Sequence, residues 1–277
     1  MSIRELRILL PLDGSADAES VLAAVLPLAQ RCPLRLTLLS VDPEAAAPRA
    51  SKAYLEKARR ALQGPGIETR TAVCAGDPAT AIVARASATR ADLIAMATHG
   101  RSGVSRLLLG SVTESVLRRT PVPLIACRPA CRMEGWTHVV ALDGSARAET
   151  ILDDLVPLTR MLGATLHLLH VASTGLRGRS PWRNERPDLE RLAAVVAARG
   201  VPVIPVIRQG QAAAEILRYA REQRAGLLAM ATHGRTGLER VVLGSVAEEV
   251  LRSASCPVLL RREIPSTAPL SPDPVLA

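Results

Sequence analysis
The feature that most constrains this chain is that it repeats itself. Residues 97–118 read ATHGRSGVSRLLLGSVTESVLR and residues 231–252 read ATHGRTGLERVVLGSVAEEVLR, identical at 15 of 22 positions. Upstream, Leu12-Asp13-Gly14-Ser15 matches Leu142-Asp143-Gly144-Ser145, and Leu38-Leu39-Ser40-Val41 matches Leu168-Leu169-His170-Val171. The offset is 130 residues in these early blocks and 134 in the late one. A four-residue length difference therefore falls between them, with Asp42–Arg49 and Ala172–Pro187 as the natural place for it. A period this long means two domains rather than a solenoid, and 277 residues suffice for two ordinary cores.

Within each copy, short apolar runs alternate with helical stretches. In the first half, strands are expected at Ile8–Leu12, Leu34–Val41, Ile67–Val73, Leu93–Met96 and Val122–Cys127. Helices are expected from Ser15 to about Arg31, over Ala50–Gln63 before the Gly64-Pro65-Gly66 stop, from Asp77-Pro78 to about Arg90, and over Ser111–Arg118. The second half repeats the order, with strands at Val139–Leu142, Thr165–Val171, Val203–Ile207, Gly226–Met230 and Val258–Leu260. Such alternation implies an α/β fold with parallel, doubly wound sheets and right-handed crossovers. The near absence of aromatics, two Trp, two Tyr and no Phe, fits cores of Leu, Val, Ala and Ile in parallel sheets covered on both faces. Domains are expected at 1–130 and 136–264, joined by Ala130–Gly135, with a Pro-rich 265–277 tail expected to be disordered.

Composition excludes several classes. The longest apolar run, Val21–Ala29, is too short to span a bilayer and contains Pro27, and the first residues do not read as a signal peptide. Five cysteines without framework spacing suit a reducing compartment, so a cytoplasmic location is expected. Cys127 and Cys131 are close, but no further ligand completes a metal set, and two isolated thiols are expected. The net charge of +9 is spread over both halves, 17 basic and 11 acidic groups in 1–130 against 18 and 15 in 131–277. No basic block is interleaved with stacking aromatics, which argues against a nucleic-acid partner.

Ligands of open parallel sheets bind beyond the carboxyl ends of the strands, where strand order reverses. The repeated motifs sit at such ends. Asp13 and Asp143 follow the first strands, Val41 and Val171 close the second, and Gly110-Ser111 and Gly244-Ser245 open helices whose unpaired N–H groups suit a phosphate. Ser111 could cap its helix or donate to a phosphate, and Arg101 and Arg106 add positive charge. The aspartates could instead serve only to organise the Asp-Gly-Ser turn. His99 and His233 lack a second polar partner at fixed spacing, and Met96 and Met230 read as space-fillers.

Together these motifs resemble the universal stress protein family, whose members carry an early Asp after the first strand and a late Gly-x2-Gly-x9-Gly-Ser element. Both halves have the Asp, the Val and Gly-x9-Gly-Ser (Gly100 to Gly110-Ser111, Gly234 to Gly244-Ser245). The first glycine is replaced by Ala97 and Ala231, a change that costs about 1–2 kcal/mol if φ is positive there and little if it is negative. The resemblance implies two tandem five-stranded domains of the adenine-nucleotide α-hydrolase-like type, packed about a pseudo-twofold axis through their fifth strands. It further implies ATP, with Mg²⁺ held by its phosphates, at one or both sites. Adenine would lie near Asp13 and Val41, or Asp143 and Val171, with Leu12 and Leu142 also among the nucleotide-binding residues. Ribose and phosphates would lie near Ala97, Gly100, Arg101, Gly110, Ser111 and Val112, or Ala231, Gly234, Arg235, Gly244, Ser245 and Val246. No Walker loop or adenylating-enzyme signature occurs, so a regulatory, stress-response binding protein is expected, not an enzyme beyond at most a slow ATPase. A nucleotide-free scaffold or holdase remains the alternative, and the protein partner is not readable.

Overall fold
The computed structural model describes residues 5–42, 48–98, 109–129, 131–172, 188–232 and 243–261. The first half runs β1 (Leu6–Pro11), α1 (Ala16–Ser20), α2 (Leu22–Val25), β2 (Leu34–Asp42), α3 (Pro48–Ala61), β3 (Ile67–Ala75), α4 (Pro78–Ala88), β4 (Leu93–Ala97), α5 (Ser111–Arg119) and β5 (Leu124–Cys127). The second half repeats it as β6 (Thr137–Ala141), α6 (Ala146–Glu149), α7 (Leu152–Leu162), β7 (Thr165–Ala172), α8 (Leu189–Ala198), β8 (Val203–Gln209), α9 (Ala212–Glu222), β9 (Leu227–Ala231), α10 (Ser245–Ser253) and β10 (Val258–Arg261).

Every expected strand is present, but the single first helix is not. It divides into α1, α2 and a 3₁₀ turn over Leu26–Gln30 that contains Pro27. A proline removes one helical N–H and crowds the preceding turn. The equivalent Pro157 is nevertheless accommodated inside α7. The Asp77-Pro78 start forms as expected, the Asp77 carboxylate accepting the Thr80 N–H at 2.9 Å. β5 begins at Leu124 rather than Val122 because Pro121 and Pro123 supply no N–H to the ladder.

The strands form one ten-stranded sheet in the order β3-β2-β1-β4-β5-β10-β9-β6-β7-β8. Each half is parallel throughout, and the two join through an antiparallel β5–β10 pair that sets Ile125 opposite Leu259. The order reads the same from either edge, which is the pseudo-twofold expected from the repeat. Leu124, Ile125, Ala126, Val258, Leu259 and Leu260 are all buried at this seam. Burying each large side chain contributes about 1.5–3 kcal/mol, and separating the halves would also bare two strand edges. The seam therefore binds the halves into one unit.

Register locates the length difference between the copies. Leu36 pairs with Thr69 in the first half and Leu166 with Val203 in the second. The offset is thus already 134 at the third strands, so the extra residues lie between β7 and β8. The connecting segment is not a loose linker. Cys131 and Met133 are buried, and the Arg132 N–H donates to the Ser255 carbonyl at 3.1 Å. Gly135 and Gly226 touch through their backbones: a Cβ on Gly226 would stand 1.8 Å from the Gly135 carbonyl oxygen. Arg31 of the first half lies 4.5 Å over the Trp136 ring of the second, adding about 0.5–1 kcal/mol across the junction. The expected tail, 265–277, lies outside the described residues.

Candidate functional site
β1 and β4 are neighbours although β2 and β3 lie on the far side of β1, and β6 and β9 are related in the same way. The crevice at this reversal opens beyond the strand ends, where the repeated motifs converge. Leu12 continues β1 by donating its N–H to the Leu39 carbonyl at 2.8 Å, and Leu142 does the same to Leu169 at 2.9 Å. The chain then turns through Gly14 and Gly144 at φ 82° and 87°, conformations that favour glycine.

The aspartates organise these turns. Asp13 Oδ1 accepts from the Ser15 N–H at 2.9 Å and the Ser15 hydroxyl at 2.6 Å, and Asp143 holds Ser145 at the same distances. The serine oxygens in turn accept the N–H of Ala18 and Ala148 at 3.1 Å. The turn-forming role is therefore real, carried by one carboxylate oxygen, and it fixes where the rest of the carboxylate sits.

The helix starts behave differently. α1, α4 and α8 are capped by the side chains of Ser15, Asp77 and Asp188. α5 and α10 begin after Gly110 and Gly244 with no side-chain cap. Ser111 and Ser245 are first helical residues, so they do not cap, contrary to one of the two roles expected for Ser111. The Gly110 and Gly244 N–H groups donate to the Thr98 and Thr232 carbonyls at 2.6 and 2.9 Å, anchoring the helix starts to the ends of β4 and β9. Small residues at an uncapped helix start present backbone donors and the positive dipole end to an anion.

In the second half these parts enclose a cavity of about 280 Å³. Leu142, Asp143, Val171, Ala231, Gly244, Ser245 and Val246 all line it, as the sequence predicts. Gly100, Arg101, Gly234 and Arg235, together with Arg106, His99 and His233, lie outside the described residues. Ala212 and Ile216 of α9, Met230 and Thr232 also line the cavity and were not expected there. The α9 residues give a weak signal because α9 shares no motif with the crevice and reaches it only by packing over β7, whereas Met230 and Thr232 flank Ala231 at the end of β9. Asp143 supplies an acidic group, and Leu169, Val171 and Ile216 supply apolar surface.

The corresponding first-half residues hold the same places on the sheet: Leu12 and Asp13 after β1, Val41 in β2, Ala97 ending β4, and Gly110, Ser111 and Val112 at the start of α5. Neither Ala97 nor Ala231 has positive φ, since Arg90 and Arg224 are the only such non-glycine residues among those described. The alanines thus cost the backbone nothing. One residue missed by sequence reading distinguishes the first site. Tyr54 of α3 stands beside its turn, its buried hydroxyl close to the Glu19 carboxylate and the Gly14 amide without a well-formed hydrogen bond to either. Burial, then the nearby Glu19 and Asp13 charges, push its phenol well above the ordinary range.

Comparison with known proteins agrees with this geometry. The sequence profile described as "Universal stress protein family" matches twice, over residues 6–128 and 137–262. Among curated relatives, a universal stress protein of Methanocaldococcus jannaschii, MJ0531, is 29% identical over 134 residues, 44% of this chain and 79% of that protein. YxiE of Bacillus subtilis is 31% identical over 143 residues, 45% of this chain and 97% of that protein. A solved universal stress protein from Archaeoglobus fulgidus superposes with a TM-score of 0.68 at 24% identity, covering 92% of this chain and 96% of that one, and so shares the fold. No described helix is long and apolar enough to cross a membrane. The chain belongs to the universal stress protein family and carries two copies of its domain in tandem.

Proposed function
We propose that this protein is a cytoplasmic stress-response regulator that binds ATP, or a related adenine nucleotide, at the carboxyl ends of its strands. The observation that carries the reading is the second-half cavity, which joins an apolar wall to an uncapped helix start. Adenine would pack beside Val171 and Asp143, and the phosphates would lie on the N–H groups of Ser245 and Val246. The first half offers the same arrangement around Asp13, Val41 and Ser111, modified by Tyr54. A helix terminus contributes about 0.3–2 kcal/mol to anion binding, so most of the affinity would come from burying the base. Mg²⁺ would accompany the nucleotide through its phosphates and water.

Turnover is expected to be slow. Phosphoryl transfer needs a positioned water and stabilisation of developing charge. The aspartates are tied into turns by Ser15 and Ser145, and at the adenine end, where the family pattern would put them, they would not reach the γ-phosphate. Phosphate release should fall well below the median enzyme rate of about 10 s⁻¹; release at or above that rate, lost with the site, would make the protein an enzyme.

The test is a calorimetric ATP titration of the parent and of the Gly110→Val/Gly244→Val double variant. Both glycines have negative φ, and an added Cβ comes no closer than 3.4 and 3.8 Å to the Thr98 and Thr232 carbonyl oxygens. The variant should therefore fold while crowding the phosphates. Affinity should fall by at least about tenfold, equivalent to 1.4 kcal/mol. Equal affinity in a folded double variant places the ligand elsewhere.

A further inference from the structure
β7 carries two histidines where β2 has none. His167 and His170 are both buried, and the repeat puts Thr37 and Ser40 at their places in the first half. Leu169 and Val171 line the second-half cavity, so strand alternation sets His167 on the cavity face of the sheet and His170 on the opposite face. Each histidine uses its Nδ1 to hold a different side of the crevice.

His170 Nδ1 lies 2.8 Å from the Leu142 carbonyl oxygen. A carbonyl oxygen only accepts, so Nδ1 carries the proton and donates. The Leu142 N–H in turn donates to the Leu169 carbonyl at 2.9 Å. Both backbone polar groups of the residue before Asp143 are therefore held by β7, and Asp143 enters its turn from a fixed peptide. In the first half the Leu12 N–H keeps its bond to Leu39, but Ser40 reaches less far from the backbone than an imidazole. On the cavity face, His167 Nδ1 lies 2.8 Å from the Tyr219 hydroxyl, with the rings 5.8 Å apart. Tyr219 stands one turn along α9 from Ile216, which lines the cavity. The Arg208 guanidinium lies 5.0 Å over the Tyr219 ring and pairs with Glu222 of the same helix at 3.0 Å. α9 is thus tied to β7 and β8 behind its cavity-lining residues. The first half has Arg85 at the place of Tyr219, and its guanidinium donates to the Cys74 sulfur of β3 at 3.3 Å.

We propose that the second half is the tighter of the two nucleotide sites because β7 preorganises it. His170 positions the Asp143 turn, and His167 acts through Tyr219 to position Ala212 and Ile216 on the other side of the crevice. The inference rests on the nucleotide reading above and adds to it which half fills first. All three side chains act from behind the lining residues, as positioning groups. A site whose sides are held before the ligand arrives loses less freedom on binding, and the difference appears as affinity. At low ATP the second half alone would be occupied, and the first would fill only at higher concentration, giving one chain two nucleotide thresholds.

The test is calorimetric ATP titration of the full chain in two backgrounds, Gly110→Val to report the second half and Gly244→Val to report the first, with thermal melts checking that each variant is folded. The second half should bind at least about fivefold tighter than the first, equivalent to about 1 kcal/mol. In the Gly110→Val background, His170→Leu removes the donor and should weaken binding at least about threefold, and Tyr219→Phe should act in the same direction. His170→Asn carries its amide nitrogen the same number of bonds from Cβ as Nδ1 and should restore most of the loss, which a space-filling role would not require. In the Gly244→Val background none of these substitutions should move the affinity. Nitrogen NMR of the nucleotide-free protein in mildly alkaline buffer should find His170 Nδ1 protonated. Equal affinities in the two backgrounds, His170→Leu or Tyr219→Phe without effect, His170→Asn as weak as His170→Leu, or an unprotonated Nδ1 would each overturn the inference while ATP binding itself stands. A parent protein that binds no ATP would overturn the nucleotide reading and this inference with it.

Discussion
Acid should destabilise the second half chiefly through one of its buried histidines, His138, and the first half shows how to remove that effect. His138 of β6 is fully buried, its Nδ1 2.8 Å from the Thr159 hydroxyl of α7 and its Nε2 without a partner. Burial lowers its pKa from 6.5 to about 4. The folded state therefore keeps the ring neutral while the unfolded state protonates below about 6.5, so stability falls as pH drops from about 6.5 to about 4. A difference of about 2.5 units corresponds to about 3 kcal/mol, of which roughly 2.5 kcal/mol is expressed between pH 7.5 and 4.5. The repeat places Ile8 and Ala29 at the positions of His138 and Thr159. His138→Ile/Thr159→Ala should leave stability near pH 7.5 little changed and recover most of that loss at pH 4.5. The assay is urea unfolding followed by far-ultraviolet circular dichroism at the two pH values. His167 is shifted the same way by burial, so some acid sensitivity should persist in the variant. An undiminished acid loss in the double variant would refute the assignment to His138.

Other perturbations probe the framework. Gly226→Ala drives a Cβ into the Gly135 carbonyl and should cost about 1–3 kcal/mol, whereas Gly64→Ala, whose Cβ meets nothing nearer than 3.9 Å, should be almost silent in thermal melting. Leu259→Asp buries a carboxylate at the seam and should abolish cooperative folding of both halves together, visible as lost amide protection in β5 as well as β10. Arg31→Ala removes the cation over Trp136 and should lower stability by about 0.5–1 kcal/mol with a change in tryptophan fluorescence.

Much of this architecture was legible because it is written twice. The offsets of 130 and 134 fixed the strand equivalences, and the Gly-Ser elements announced helix starts that the structure leaves uncapped. What escaped depends on partners distant in sequence. Tyr54 reaches the Asp13 turn only because α3 folds over it, and α9 supplies Ala212 and Ile216 by packing. Cys256 comes to the same end of the seam as Cys127 only through the antiparallel β5–β10 pair. The same proline also had two outcomes, a 3₁₀ turn at Pro27 and an α-helical place at Pro157, which local sequence does not separate.

The central claim is that an adenine nucleotide occupies the crevice at the strand-order reversal, and a crystal structure of the protein grown with saturating ATP tests it most directly. The account predicts adenine in the second-half cavity beside Val171 and Asp143, with phosphate oxygens within hydrogen-bond distance of the Ser245 and Val246 N–H groups. Nucleotide bound away from both glycine-serine helix starts, or cavities without nucleotide in both halves at saturating ATP, would contradict it.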